Sequence, residues 1–257
     1  DAIVSSGENV TAGLMALRLQ EMDIPARSWQ GWQVPVMTTS AHSSARIEDI
    51  PTDNLAAKFN EGMKVAVVAG FQGVSPEGRI TTLGRGGSDT TAVAFAAAFE
   101  AERCDIYTDV DGVYTTDPRI VPKARKLAKV TYEEMLELAS LGSKVLHPRS
   151  VEFAGRYRVP LRVMSTFQDG PGTLITTEKD DMEQPLVSGI AHATDEAKIT
   201  IAGVPDLPGI ASKILGPVGA ANIEVDIILQ NTGADGLTDF TFTVKRQDYD
   251  AAQKILQ

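Results

Sequence analysis

Cysteine, long apolar runs and basic residues are all scarce in this chain, and each scarcity excludes a class of protein. The 257 residues include one cysteine, Cys104, which excludes an internal disulfide and a cysteine-rich zinc site. The longest apolar run covers residues 92–99, far fewer than the roughly 20 residues that a membrane-spanning helix needs. The first residues, 1–4, lack the basic start and the apolar region of a signal peptide.

The charge balance is acidic, with 24 Lys and Arg against 34 Asp and Glu and a net charge of −10. Binding to nucleic acid needs clustered basic residues, so this balance argues against such a partner. Hydrophobic residues make up 43% of the chain, enough to bury the core of one large domain or two smaller ones. The composition therefore predicts a soluble, cytoplasmic protein with neither a nucleic-acid nor a membrane partner.

Helix-like and strand-like segments alternate through the first two thirds of the chain. The spacing of Thr131 and Glu134 is that of a capping box, and Gly142 is placed to end the helix that this box begins. Such alternation predicts an α/β fold with a mostly parallel sheet sandwiched by helices. The predicted helices cover residues 8–22, 90–103 and 131–142, and the predicted strands cover residues 64–70, 104–110 and 159–165.

A polar, acidic stretch that ends at Pro185 predicts a linker over residues 177–186. The pattern after it is strand 197–204, turn 205–209, a helix to about residue 219, strands 223–230 and 238–245, and a helix from 248. This βαββα order is one strand short of a ferredoxin-like unit. The predicted domains are therefore 1–176 and 187–257, on either side of the linker.

The most informative stretch is the glycine-rich segment 81–89, which leads into the alanine-rich helix. Its three glycines allow a sharp turn close to a ligand, and Ser88 or Asp89 is predicted to cap the helix. Arg85 and Asp89 together suit a zwitterion, with a guanidinium for the carboxylate and a carboxylate for the ammonium. The segment is neither a P-loop nor a dinucleotide fingerprint. On spacing alone, an ordinary glycine turn before a capped helix explains it equally well.

Two further segments carry polar residues after predicted elements. Residues 107–119 follow a strand and offer acids, hydroxyls, Tyr114 and Arg119 for a ribose, a base and phosphates. A polar surface loop is the slightly favoured interpretation of this segment by itself. In residues 142–148, Lys144 follows a helix end, where a lysine more often complements the helix dipole than binds phosphate. His147 precedes a proline and is predicted to be structural.

Taken together and in order, these segments resemble the aspartokinases of the amino-acid kinase family. The residues that carry the resemblance are 6–8, 68–73, 81–89, 108–119, 142–148 and 171–173. The tail, with residues 206–209 and 229–231, resembles an ACT regulatory module. The resemblance implies an amino-acid kinase fold followed by a ferredoxin-like ACT module.

The resemblance also implies an activity, the ATP-dependent phosphorylation of the L-aspartate side chain to 4-phospho-L-aspartate, the first step of lysine, threonine and methionine biosynthesis. Arg85, Asp89 and Lys144 would be catalytic. Mg²⁺ would be held largely through the ATP phosphates, so no metal ligand is assigned. The implied aspartate site is Glu8, Phe71, Arg85, Ser88 and Asp89, and the implied ATP site is Thr108, Asp109, Tyr114, Asp117, Arg119 and Lys144.

Regulation is implied through the ACT module, with feedback by lysine, threonine or both. ACT modules of this family pair between chains, so at least a homodimer is expected. The candidate effector residues lie around the turn 205–209 and on the strand that follows, and they are Asp206, Gly209, Ala211, Asp226 and Gln230.

The chain departs from the family pattern at both ends. It contains no Lys-Phe-Gly-Gly-Thr-Ser motif, whose lysine contacts the transferring phosphoryl group, and it has no closing ACT strand or second ACT module. The expectation is a fragment of a longer protein that is poorly active alone. Two alternatives are a catalytically silent amino-acid-binding regulator and another amino-acid kinase, such as a glutamate 5-kinase. Glu8 and the ACT-like tail disfavour the second.

Overall fold

The computed structural model describes residues 1–143, 145–177, 187–221, 223–232 and 237–256 of the chain. It divides into two compact units, Asp1–His192 and Ala193–Gln257. The predicted linker lies outside the described residues from 178 onwards, so the boundaries predicted from the sequence stay a prediction. Residues 188–190 belong to the first unit and are bonded within it, since Ile190 N donates to Thr115 O at 2.7 Å and Ser188 Oγ donates to Glu134 Oε1 at 2.6 Å.

The first unit is an α/β structure, as the composition and alternation predict. Its helices are α1 Ser6–Glu21, α2 Asp53–Asn60, α3 Gly87–Ala98, α4 Tyr132–Ser140 and α5 Pro148–Tyr157. Its strands are β1 Ala26–Trp29, β2 Met37–Thr38, β3 Ile47–Asp49, β4 Val65–Val68, β5 Gln72–Val74, β6 Ile80–Thr82, β7 Cys104–Thr108, β8 Lys129–Thr131, β9 Leu161–Ser165 and β10 Thr173–Thr176.

Within the described residues, the strands of this unit form three short sheets. β1 pairs with β4, a second sheet has the order β3-β2-β5-β6, and a third has the order β7-β9-β10-β8. The pairs β1–β4, β2–β5, β7–β9 and β8–β10 are parallel, whereas β2–β3, β5–β6 and β9–β10 are antiparallel. The α/β class is thus confirmed, with antiparallel pairs at points where the chain turns back within a few residues.

Two apolar clusters form the core of the first unit, and α3 joins them. Val93 belongs to the cluster between the third sheet and helices α4 and α5, whereas the next residue, Ala94, belongs to the cluster under β2 and α2. Phe153 of α5 packs against both clusters. An alanine-rich helix can approach both at once because its side chains are small. This central position fixes the amino end of α3, where the glycine-rich segment lies.

The helix predictions are confirmed in type and corrected in detail. α1 buries Ala12 and Ala16, while the larger apolar residues of its helical pattern, Val10, Leu14 and Leu17, are exposed. α3 begins three residues earlier than predicted and ends at Ala98. The capping box of α4 is present, with Thr131 and Glu134 bonded reciprocally, and Gly142 follows the helix at φ +115°.

The second unit has the predicted βαββα order: β11 Glu196–Pro205, α6 Ile210–Ala220, β12 Val225–Thr232, β13 Leu237–Lys245 and α7 Tyr249–Leu256. The three strands form an antiparallel sheet in the order β11-β13-β12. Alternate residues of β13, including Phe240 and Phe242, are buried with Val218 of α6 and Ala252 of α7. Both helices therefore cover the same face of this sheet.

No helix within the described residues combines the length and the apolar character that crossing a membrane requires.

We expect Tyr132→Phe to lower the free energy of unfolding of the first unit by about 1–2 kcal/mol. The buried Tyr132 hydroxyl donates to Val159 O at 2.6 Å, and its loss leaves that carbonyl without this donor. Both tryptophans, Trp29 and Trp32, lie in the first unit, so urea denaturation followed by tryptophan fluorescence reports on this unit.

The matched control is Tyr157→Phe, since Tyr157 is 51% exposed at the end of α5. That variant should unfold within about 0.5 kcal/mol of the parent chain. Equal stabilities of the two variants would contradict the assigned role of the Tyr132 hydrogen bond.

Candidate functional site

The glycine-rich segment forms a loop between β6 and α3 whose conformation requires glycine. Gly84 and Gly86 have φ of +78° and +69°, in the left-handed region that side chains disfavour. Gly86 occupies the N-cap position of α3 and no side chain among the described residues caps the helix, so the prediction that Ser88 or Asp89 caps it is wrong. Both residues lie inside the first turn instead, because the glycines let the helix begin earlier.

Neighbouring side chains press closely on this loop. A Cβ at Gly86 would overlap the side chain of His147, and a Cβ at Gly87 would lie 2.8 Å from Cδ2 of Phe71. The backbone of Gly84 passes equally close to the carbonyl of Ser43, since a Cβ there would lie 2.8 Å from that oxygen. We call residues 84–88 the glycine loop. Its path leaves no room for larger residues at Gly86 or Gly87.

Two separate segments converge with this loop around an open cleft of about 320 Å³. Glu8 comes from the first turn of α1, Phe71 from the residue before β5, and Arg85 and Ser88 from the loop region itself. Among the described residues, the lining is Val4, Glu8, Phe71, Gly84, Arg85, Gly86, Gly87 and Ser88. Four of the five residues predicted for aspartate therefore line one cleft, and Val4 is a lining residue that the sequence reasoning missed.

Phe71 is held in a strained backbone conformation at the edge of this cleft. Its φ is +67°, which is unusual for a residue with a bulky side chain. Its N–H donates to Thr91 Oγ1 at 3.0 Å, and its carbonyl accepts from Leu83 N at 3.0 Å. These two bonds tie the strained residue to α3 and to the start of the glycine loop. Conformations of this kind concentrate at functional sites.

Asp89, the fifth predicted aspartate residue, lies in the first turn of α3 and does not line the cleft. Burial raises the pKa of its carboxyl, and the nearby His147 only partly opposes this effect. The pKa of His147 is lowered, again mainly by burial. Its ring Nδ1 accepts from Arg149 N at 3.3 Å and caps α5, in agreement with the structural role predicted for it.

Five of the six residues predicted to bind ATP lie on one stretch of chain that begins at the carboxyl end of β7. Thr108 Oγ1 donates to Asp109 Oδ1 at 3.2 Å, and Tyr114 OH donates to Asp111 Oδ1 at 3.0 Å. Arg119 Nη2 lies 2.8 Å from Asp117 Oδ2, and this hydrogen-bonded pair lowers the pKa of Asp117 to about 2. Lys144, the remaining predicted ATP residue, lies outside the described residues.

No cluster of three or more His, Cys, Asp or Glu side chains suitable for a metal ion occurs in the part of the chain that the structure describes. Two acids of the 108–119 stretch already have cationic partners. Asp111 Oδ2 accepts from Lys126 Nζ at 3.1 Å, and Asp117 pairs with Arg119. These carboxylates therefore do not form a metal cage of their own.

In the second unit the predicted effector residues lie around the start of α6 and on β12. Gly209 is the N-cap of α6 at φ +86°, and Ala211 follows in the first turn. Gln230 Nε2 donates to Asp206 Oδ1 at 3.4 Å, which brings the turn and β12 together. Asp226 is exposed near the other end of β12. The structure thus joins Asp206 with Gln230 beside the amino end of α6.

The first unit is an α/β domain whose cleft is lined by the guanidinium of Arg85 and the carboxylate of Glu8, and the second is an α+β unit. The chain belongs to the amino acid kinase family, whose model matches residues 1–165, more than half of its length. The model of the ACT domain matches residues 198–257, within the second unit.

Curated aspartate kinases align with this chain over its whole length. The aspartate kinase of Pseudomonas putida is 62% identical over 258 residues, which is 100% of this chain and 62% of that protein. The aspartokinase of Pseudomonas aeruginosa is 61% identical over 259 residues, 100% of this chain and 63% of that protein. The chain therefore spans less than two thirds of the length of these relatives.

Solved structures agree with the curated relatives. Escherichia coli aspartokinase III in complex with aspartate and ADP is 32% identical, with a TM-score of 0.81 over 95% of this chain and 54% of that one. The same enzyme in complex with lysine and aspartate is 31% identical, with a TM-score of 0.73 over 95% of this chain and 55% of that one.

We expect Asp89→Asn to make the first unit more stable than the parent chain at pH 7. Burial raises the pKa of Asp89 in the folded state above its value in the unfolded chain, so the folded state binds the proton more tightly. Stability therefore falls as the pH rises from the unfolded-state pKa to the raised folded-state pKa. The ionised carboxylate therefore costs stability at pH 7, and the neutral amide removes that cost. Urea denaturation at pH 7, 5.5 and 4 should show an advantage for the variant that shrinks towards pH 4.

Asp169→Asn provides the control, because Asp169 is exposed and outside the site. It should show no comparable pH-dependent advantage. A parent chain at least as stable as Asp89→Asn at pH 7 would rule out the burial effect.

Proposed function

We propose that this chain belongs to an aspartate kinase, which transfers the terminal phosphoryl group of ATP to the side-chain carboxylate of L-aspartate. The products are 4-phospho-L-aspartate and ADP, at the first step of lysine, threonine and methionine biosynthesis. The names of the relatives that match the whole chain support this activity. Because ATP and aspartate are metabolites of the cytoplasm, we also propose that the protein acts there.

The observation that carries the proposal is the convergence of Glu8, Phe71, Arg85 and Ser88 on one cleft. The Arg85 guanidinium would pair with the α-carboxylate of aspartate, since its planar fork matches a carboxylate. Glu8 would face the ammonium group, and the Phe71 ring would form a wall. Asp89, next to Ser88 in the first turn of α3, would add negative charge near the ammonium group.

The stretch after β7 would hold ATP with Thr108, Asp109, Tyr114, Asp117 and Arg119, and Lys144 would add a cation near the phosphates. Arg119 is 84% exposed in its side chain, so its pair with Asp117 is an exposed one that contributes little free energy. The guanidinium could therefore exchange that partner for a phosphate at small cost. The position at the carboxyl end of a parallel strand supports a ligand site.

The carboxylate nucleophile of aspartate is already ionised at pH 7, so the reaction needs no strong general base. The protein would contribute alignment of the carboxylate with the terminal phosphate and cationic groups around the transferred phosphoryl group. Mg²⁺ would supply further charge neutralisation while bound mainly to the ATP phosphates. This agrees with the 108–119 stretch, where Asp111 and Asp117 pair with cations and the exposed Asp109 is the candidate ligand.

The second unit would regulate the activity by binding an end-product amino acid. The N–H groups at the start of α6 would bind the effector carboxylate, and Asp206, Asp226 or Gln230 would reach its polar groups. Lysine, threonine or both would be the effector, and the lysine complex of Escherichia coli aspartokinase III supports the first of these. Two or more copies of the chain would associate through their ACT modules.

We expect isothermal titration of the 257-residue chain with L-aspartate to show binding that Arg85→Ala weakens by about a hundredfold. The variant removes the cation that would pair with the α-carboxylate. Arg79→Ala is the matched control, because Arg79 is an exposed arginine six residues earlier and outside the cleft. It should bind aspartate as the parent does.

The same titration separates the alternatives. Binding of L-glutamate in preference to L-aspartate would favour another amino-acid kinase. Binding of aspartate without binding of ADP would favour a silent amino-acid-binding regulator. Equal aspartate affinities for the parent and Arg85→Ala would remove Arg85 from the site.

For the second unit, we expect titration with L-lysine and with L-threonine to detect binding of at least one of them. Asp206→Ala should weaken it about tenfold, because the change removes the carboxylate that Gln230 orients. Asp250→Ala, at an exposed acid of α7, should leave the affinity unchanged. An unchanged affinity in Asp206→Ala would place the effector elsewhere.

A further inference from the structure

We propose that Arg149 is a positioning residue of the aspartate site, which holds the glycine loop in its binding conformation without touching the ligand. This inference rests on the function proposed above. Arg149 lies in the first turn of α5, next to His147 and Pro148, and the sequence reasoning assigned it no role.

The guanidinium of Arg149 joins two chain segments that are distant in sequence. Nη1 donates to Leu83 O at 2.9 Å, and Nη2 donates to Ala45 O at 2.9 Å. Leu83 is the last residue before the glycine loop, and its own side chain is buried at 2% exposure. Ala45 N in turn donates to Thr82 O at 3.0 Å. Arg149 thus links the residue after β6, where the glycine loop starts, to the segment around Ala45.

Arg149 and His147 hold the loop on both sides of Arg85. Arg149 fixes the carbonyl of Leu83, two residues before Arg85, and the His147 side chain closes over Gly86, the residue after it. The Arg85 side chain itself is exposed, so its direction depends on the main chain that carries it. The start of α5 therefore sets where the carboxylate-binding guanidinium points.

The contact needs an arginine because one planar group has to reach two carbonyls at once. A lysine at this position has a single nitrogen on a flexible stem and cannot reproduce that fork. Both partners are main-chain carbonyls, so the effect is on backbone geometry rather than on a neighbouring charge. A preformed loop binds its ligand more tightly because the loop loses less conformational entropy on binding.

The first test measures how often the glycine loop opens in the absence of any ligand. Trypsin cleaves after arginine, so the rate of cleavage between Arg85 and Gly86, followed by mass spectrometry, measures how often the loop opens. We expect Arg149→Ala to raise this rate about tenfold or more relative to cleavage after the exposed Lys123. Arg156→Ala, on the same helix but over the Tyr157 ring at 5.7 Å, should leave the ratio unchanged.

The second test measures how tightly the site binds L-aspartate. Arg149→Ala should weaken L-aspartate binding about tenfold in isothermal titration while ADP affinity stays within about twofold, and guanidinium chloride at low millimolar concentration should restore part of the loss. A merely structural role would weaken both ligands and would not respond to guanidinium. Arg149→Lys should fall between the parent and Arg149→Ala, and it decides the matter if Arg149→Ala does not fold.

Unchanged cleavage after Arg85 together with unchanged aspartate affinity would overturn the proposal, as would a parallel loss of aspartate and ADP binding. If the parent chain binds no aspartate, the proposed substrate fails, whereas the cleavage ratio still decides whether Arg149 holds the loop.

Discussion

Close packing around the glycine loop is the constraint on which the site depends. Gly86 lies under His147, Gly87 lies against Phe71, and Gly84 and Gly86 adopt φ values that suit glycine. Because these contacts leave the backbone a single path, Arg85 and Ser88 are presented to the cleft and α3 begins at Gly87. α3 packs against two apolar clusters, and His147, the N-cap of α5, lies against Gly86 at its amino end.

The site is assembled at a cost in local stability. A left-handed conformation at a bulky residue such as Phe71 costs about 1–3 kcal/mol, and surrounding hydrogen bonds must offset it. Asp89 adds a second cost, since its carboxyl is held where burial disfavours the ionised form. Both features fit a region organised for binding charged ligands, and the apolar clusters that flank α3 provide the stability that allows them.

Local signals in the sequence predicted much of this structure. The capping box at Thr131 and Glu134, the alternation of helices and strands and the βαββα order all depend on neighbouring residues, and all are present. The buried alanine face of α1 and the contacts of Arg149 depend on residues far away in the chain, so no local pattern could reveal them. The glycine loop was recognisable from its composition, whereas the partners that press on it were not.

The most direct test of the account is a crystal structure of the chain with L-aspartate bound. The α-carboxylate should lie within hydrogen-bonding distance of the Arg85 guanidinium, with the ammonium group towards Glu8 and the glycine loop unchanged. Aspartate bound elsewhere, or a cleft that stays empty at concentrations that saturate the chain in solution, would contradict the assignment of this cleft as the amino-acid site.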